Sequence, residues 1–281
     1  MQYRRVADEA ELLDALKEPG AAILSGGTDL LVKIRGGLVR PKVLVDIGRL
    51  PSLRGIRSSE TEIAIGSATP ESEILSDPSI RETLPLLTAA LASLGSVQIR
   101  NRGTLGGNLV NASPAADSAV PLLLYDAEID LISLAGERVV PVETFFAGPG
   151  KTVLRPGEFV RTVRIPVPMP VFRPFYHKVG KRQALTIAIA SLGALIRVDG
   201  SHIVEARLAA GSVAPTPLRL RTVEKRLRDV EISDNAIADA RRFAAEAVSP
   251  IDDVRATAAY RRDVVGALVQ RAVQTAFDHA D

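Results

Sequence analysis

The 281-residue sequence has no cysteine and only three histidines. Without thiols the chain can form no disulfide, no cysteine-ligated iron–sulfur cluster and no cysteine nucleophile. His177, His202 and His279 are scattered, with neither metal-ligand spacing nor a Ser/His/Asp arrangement. No G-x-G-x-x-G follows a strand-like run, which excludes a nicotinamide site of the Rossmann kind. Gly148-Pro-Gly-Lys-Thr152 has the look of a P-loop tail, but Phe145 stands where that loop needs its first glycine, so nucleoside-triphosphate binding is excluded as well. The uncharged run Gln183 to Ile196 falls short of the about 20 residues a membrane span needs. Neither sign of charge dominates: 35 Lys and Arg face 33 Asp and Glu, for a formal charge of +2. The two signs are interspersed, so the slightly basic balance does not imply nucleic acid. Arg4-Arg5 runs straight into Asp8, Glu9 and Glu11 with no apolar leader, and the cytoplasm is the expected compartment.

What the sequence does have is glycine in two unusual places. Ile99 to Asp117 reads Ile-Arg-Asn-Arg-Gly-Thr-Leu-Gly-Gly-Asn-Leu-Val-Asn-Ala-Ser-Pro-Ala-Ala-Asp. Gly106 and Gly107 allow a sharp turn and a close approach to a bound group. Thr104, Asn108, Asn111 and Ser113 add short hydrogen-bonding side chains. Ser113 before Pro114 reads as a helix N-cap with proline at the first helical position, an end that suits an anion. Upstream, Ile23 and Leu24 end a buried strand, and Gly26-Gly27 makes a turn. Thr28 or Asp29 caps a short helix that uses Leu30, Leu31 and Ile34 and stops at Gly36-Gly37. Two strand–Gly-Gly–helix segments with similar polar trim, facing each other, would clamp a diphosphate from both sides.

Ser25-Gly-Gly-Thr-Asp-Leu30 and Thr104-Leu-Gly-Gly-Asn-Leu-Val-Asn-Ala-Ser-Pro-Ala-Ala-Asp117 together resemble the FAD-binding medium subunit of the molybdenum hydroxylases, the family of xanthine and carbon monoxide dehydrogenase flavoproteins. Ala209-Ala-Gly-Ser-Val-Ala-Pro-Thr-Pro217, Ser249-Pro-Ile-Asp-Asp-Val-Arg255 and Tyr260-Arg-Arg262 extend the resemblance over nearly the whole chain. It implies an α+β fold: a two-subdomain FAD-binding domain of the PCMH type, then a C-terminal antiparallel sheet covered by helices. The domains would span 1–170, with subdomains of about 1–55 and 56–165, and 171–281.

The resemblance also implies FAD held by Leu24, Ser25, Gly26, Gly27, Thr28, Asp29, Leu30, Thr104, Leu105, Gly106, Gly107, Asn108, Asn111, Ser113 and Ala116. With no cysteine in the chain and no histidine in either loop, the FAD is expected to be non-covalent. Asp117 would lie close to the flavin ring and Lys178 near the isoalloxazine edge; Thr186 stands where the family usually has an acidic residue. A molybdopterin-binding large subunit and a small subunit with 2Fe-2S clusters are the implied partners and hold those cofactors. The chain would pass electrons from the clusters to an acceptor left open among NAD, a quinone, a ferredoxin and oxygen. Two rival readings are a stand-alone FAD-dependent oxidoreductase of the vanillyl-alcohol-oxidase kind and an anion-binding assembly protein without cofactor. Arg100 and Arg102 offset phosphate charge, meet a partner, or are simply solvated. Asp252, Asp253 and Arg255 read as local hydrogen-bonding residues of the C-terminal domain.

Periodicity fills in the rest. Glu9 to Lys17 reads as a helix and Val43 to Ile47 as a strand. Leu84, Leu87, Leu91 and Leu94 form one helical stripe, and Pro114 to Tyr125 reads as a buried helix. Prolines 166, 168, 170 and 174 mark Arg164 to Pro174 as a linker. Thr186 to Val198 and His202 to Val213 pair through a turn at Asp199-Gly200, and the remainder is helical, with Val265 to Ala276 laying an apolar face on that sheet.

Overall fold

The computed structural model describes residues 1–167, 172–182 and 185–278. The first unit holds β1 (Gln2–Arg5), α1 (Glu9–Ala15), β2 (Ala21–Leu24), α2 (Leu30–Arg35) and β3 (Val43–Asp46) in a parallel sheet ordered β1-β3-β2. Asp8 caps α1 by accepting from the Glu11 N–H, while the Glu11 carboxylate accepts from the Ala7 N–H. This is a near relative of the capping box. Val43, Leu44 and Val45 are all buried, as a central parallel strand requires. In α2 the expected apolar face is not buried: no residue of that helix is, and Leu31 is 47% exposed.

The second unit opens with β4 (Ile56–Ser58) and β5 (Glu62–Gly66). Six short helices follow: α3 (Glu71–Ser76), α4 (Pro78–Thr83), α5 (Pro85–Ala92), α6 (Val97–Arg100), α7 (Leu105–Asn111) and α8 (Ala119–Leu124). Then come β6 (Glu128–Ser133), β7 (Gly136–Pro141), α9 (Val142–Phe145), β8 (Phe146–Gly148), β9 (Lys151–Thr152) and β10 (Phe159–Pro166). The main sheet is antiparallel and ordered β4-β5-β10-β6-β7. Leu84, Leu87, Leu91 and Leu94 are buried against it, as their spacing implies. Ala68, Ile132 and Phe159 reach into the core of the first unit, so the two units share a wall. Gly148-Pro-Gly-Lys-Thr152 is the tip of the β8–β9 hairpin, with Gly148 and Gly150 at positive φ.

The third unit is the antiparallel sheet β11 (Arg173–Val179), β12 (Ala190–Asp199), β13 (His202–Gly211) and β14 (Leu218–Arg219). Around it lie α10 (Arg221–Leu227), the short β15 (Val230–Glu231) paired with β13, α11 (Asp234–Glu246) and α12 (Ala258–Asp278). The β12–β13 turn is at Gly200, with φ +53°. Val265, Leu268, Val269, Ala272, Val273 and Ala276 of α12 are buried on the sheet. Packing of α8 on the opposite face explains Gly193, where a Cβ would stand 2.8 Å from Val120 Cγ1. Arg261 is buried and donates to the Ile189 and Ser212 carbonyls and to Asp253. Burial opposes charge on Asp253, but the Arg255 and Ala256 N–H groups and Arg261 outweigh it and hold that carboxyl well below the usual range. Those are the local bonds expected of this segment.

Several sequence expectations need correction. Arg164 to Pro166 belong to β10, the central strand of its sheet; Pro166 ends it, opposite Glu62. Pro174 lies inside β11, on a sheet edge where a missing N–H is tolerated. Pro168 and Pro170 fall outside the described residues. The Pro114–Tyr125 helix shortens to α8. Ser113 is not its N-cap but heads a turn, accepting from the Ala115 N–H at 3.2 Å. The reason lies just upstream, where Ala112 takes a left-handed conformation (φ +47°) to end α7. Gly106-Gly107 is not a turn after a strand. Both glycines lie in the first turn of α7, capped by Thr104. Asp29 occupies the N-cap position of α2 but makes no capping bond; it pairs with Lys33 at 2.9 Å. The strand expected from Thr186 begins at Ala190, and the C-terminal part contains β14 and β15 besides its helices.

Candidate functional site

The two glycine segments face each other across a cleft of about 280 Å³. Ser25 to Leu30, between β2 and α2, form one wall; Thr104, Gly106, Gly107, Asn108 and Asn111 of α7 and its cap form the other. The walls touch at one end. A Cβ on Gly26 would stand 2.0 Å from the Arg102 carbonyl oxygen. Ser25 Oγ lies 3.1 Å from Thr104 Oγ1, and the Lys33 ammonium donates to Asn111 Oδ1 at 2.5 Å. Gly27 turns the first loop at φ +74°, where glycine alone is unstrained. Gly106 is fixed from behind, because its Cβ would meet Ser67 Cβ at 2.5 Å; Gly107 is exposed, with only Thr104 Oγ1 nearby.

The walls differ in what they offer a ligand. The first N–H groups of α7 are already used: Leu105 donates to Thr69 O, Gly106 to Ser67 O, Gly107 to Thr104 Oγ1 and Asn108 to Thr104 O. In the first loop the opposite holds. Among the described residues, the N–H groups of Gly26, Gly27, Thr28, Asp29 and Leu30 meet no protein acceptor, and the run ends at Leu31, which donates to Gly27 O. Successive free backbone donors on a concave wall are a site for anionic oxygen.

The floor is mostly apolar, from Ile23, Ile47, Phe159 and Val160; of its polar residues, Glu158 is paired with Arg138, while Ser67 and Glu71 stand apart. Ser67 and Glu71 are 4% and 2% exposed, and neither Ser67 Oγ nor Glu71 Oε2 has a hydrogen-bond partner among the described residues. Burial pushes the Glu71 carboxyl up to about 7, aided by the Asp117 charge and opposed by Arg100. Behind this floor, Asp117 Oδ2 meets Lys178 Nζ at 2.6 Å, both side chains buried. Lys178 also donates to Ser93 O, and the Tyr176 hydroxyl to Asp117 Oδ1. Burial raises the Asp117 carboxyl, and Lys178 and Tyr176 pull it the other way.

Leu24, Leu105, Ser113, Ala116, Asp117 and Lys178 do not line the cleft: Leu105 is in the core, Ser113 and Ala116 are in turns, and the Asp117–Lys178 pair is closed on itself. Arg100 donates to Leu94 O, and Arg102 is exposed. Ser67, Glu71 and Phe159 line the cleft without having stood out in the sequence. Free backbone donors, orphaned polar atoms and an apolar floor fit a dinucleotide, which has anionic, hydroxyl and flat apolar parts.

Residues 1–168 match the family described as FAD binding domain in molybdopterin dehydrogenase, and residues 175–276 match CO dehydrogenase flavoprotein C-terminal domain. The chain belongs to this family. The putative xanthine dehydrogenase FAD-binding subunit of Escherichia coli (strain K12) is 34% identical over 278 residues, 98% of this chain and 95% of that protein. The carbon monoxide dehydrogenase medium chain of Hydrogenophaga pseudoflava is 32% identical over 92% of this chain and 89% of its own. The solved carbon monoxide dehydrogenase from Hydrogenophaga pseudoflava superposes with a TM-score of 0.94 at 30% identity, covering 99% of this chain and 97% of that one. Quinoline 2-oxidoreductase from Pseudomonas putida 86 gives 0.94 at 28%, covering 100% and 98%. The chain is thus an FAD-binding subunit of the molybdenum hydroxylase class, which works in multi-subunit complexes. No described helix is long and apolar enough to cross a membrane.

Proposed function

We propose that this subunit holds FAD non-covalently between Ser25–Leu30 and the Thr104–Asn111 segment, with a molybdopterin-binding large subunit and a 2Fe-2S small subunit as its partners in the cytoplasm. The observation that carries the reading is the run of free N–H groups from Gly26 to Leu30, opening on a cleft that the second glycine segment closes. Bound FAD supplies the redox chemistry, between the partner's clusters and an external acceptor. The chain's own residues bind and orient. Backbone donors of the first loop take the diphosphate, Gly107 leaves room for it, and Ile23, Ile47 and Phe159 cover apolar surface. Leu24, Leu105, Ser113 and Ala116 support the loops from behind, and Asp117 and Lys178 act on the cleft through Glu71. Three cores, each centred on one sheet and shared at its borders, support a division into 1–170, with subdomains of about 1–55 and 56–165, and 171–281.

A complete reaction is expected only from the assembled complex, since the chain has no cluster ligands of the cysteine kind. Anaerobic stopped-flow spectra of the purified FAD-loaded chain should show bleaching by dithionite and none by purines, aldehydes or N-heterocycles. Steady turnover of an organic substrate by this chain alone would favour the stand-alone oxidoreductase instead.

A further inference from the structure

Two buried polar atoms in the cleft have no hydrogen-bond partner among the described residues. Ser67 follows β5, and Glu71 opens α3; the Glu71 N–H donates to Gly103 O, which seats the helix start beneath the second glycine segment. Both side chains are more than nine-tenths buried and both line the cleft, yet among the described residues Ser67 Oγ and Glu71 Oε2 remain without partners. Unpartnered groups this deeply buried are costly unless a ligand completes them.

The charges around Glu71 decide its form. From the turn before α8, Asp117 repels a carboxylate, while Lys178 on β11 is engaged by Asp117 itself. From α6, Arg100 helps the charged form without a hydrogen bond to it; one of its N–H groups donates to Leu94 O. Glu73, on the same helix, is paired with Arg54, and Arg102 is exposed. A carboxylate at Glu71 would thus face the Asp117 charge and add a second negative charge to the lining of a cleft read as an anionic cofactor's site. A carboxylic acid avoids that repulsion and offers one O–H donor. Burial already holds its titration at about 7 in the FAD-free chain.

We propose that Ser67 and Glu71 form a paired anchor for the cofactor, in which Glu71 enters as the neutral acid and donates to an oxygen of bound FAD, so that FAD affinity falls as pH rises through neutrality. The proposal rests on the reading of this cleft as the FAD site. Sign and size follow from linkage: a group that must hold its proton to bind has to be reprotonated above its free-state value, while the charge of FAD stays constant over this range. The Kd should therefore weaken about tenfold between about pH 6 and about pH 8.

The test is titration of the FAD-free full chain with FAD, read by flavin fluorescence, across that pH range. Glu71→Gln keeps a donor with no proton to lose and should bind equally well at every pH, near the parent's low-pH affinity. Ser67→Ala should bind several-fold more weakly and retain the parent's slope. A flat profile for the parent, or the parent's slope surviving in Glu71→Gln, would overturn the anchor while leaving the FAD site standing. A parent that binds no FAD at any pH would overturn both.

Discussion

A chain carrying Gly26→Ala is expected to fold and yet bind FAD roughly 10- to 100-fold more weakly than the parent. The added Cβ would stand 2.0 Å from Arg102 O, 2.7 Å from Arg102 C and 3.0 Å from Gly103 Cα. All three are backbone atoms, so no side-chain rotation relieves the contact. One loop must move, and the overpacking of about 1–3 kcal/mol sets the range quoted. The Gly26–Leu30 donors and the α7 wall would then no longer frame the same opening. Gly107→Ala is the matching comparison: it leaves the loop-to-loop contact alone, so it should melt no lower than the parent and lose FAD affinity only through the room taken from the diphosphate. Its Cβ would meet only the Thr104 hydroxyl oxygen, at 2.9 Å, and alanine favours the helix that Gly107 occupies. Parallel FAD titrations and thermal melts of the two variants decide the matter. Equal affinity in parent and Gly26→Ala would mean that loop-to-loop contact does not shape the site.

Lys178→Met should destabilise the protein by about 3–5 kcal/mol, because it strands Asp117 as an uncompensated buried charge. The pair is 2.6 Å apart and nearly inaccessible, with side chains 6% and 7% exposed. Burial raises Asp117, and removing the ammonium raises it further. A carboxyl raised in the folded state contributes stability that is complete below its unfolded value of 3.8 and is lost as pH rises through the folded value. The deficit of Lys178→Met should accordingly be small in acid and full in mild alkali. Adding Asp117→Asn should recover most of it, since a neutral amide needs no counterion. Urea denaturation at the two pH extremes measures this. A small, pH-independent loss would show that Lys178 contributes packing only.

The parts legible in the sequence were those whose signal is local. The Leu84–Leu94 stripe, the Val43–Asp46 strand and the α12 face are periodic patterns that packing honoured. Both glycine segments were visible because close backbone approach admits little else. What local pattern hid was the reason for each glycine. Gly26 and Gly106 answer to Arg102 and Ser67, neighbours brought by the fold. The free N–H run in one loop, against the spent donors in the other, depends on where Ser67 and Thr69 place their carbonyls. Glu71 and Ser67 were hidden for the same reason: an acid in the first turn of a helix reads as surface until α6 and the second loop fold over it. Pro174 misled in the other direction, since an edge strand tolerates a proline that a central one would not. Ser113-Pro114 carried the pattern of a cap, but the left-handed Ala112 redirected the chain before a helix could start.

Stoichiometric titration of the FAD-free chain with FAD and with FMN, followed by acid precipitation, tests the central claim most directly. One equivalent of FAD should bind, with the yellow colour wholly released into the acid supernatant as FAD, because the chain has no cysteine anchor and neither glycine segment contains a histidine. FMN lacks the second phosphate and the adenosine and should bind far more weakly. Absence of FAD binding, equal binding of FMN, or flavin retained in the acid pellet would contradict a non-covalent dinucleotide site between these two loops.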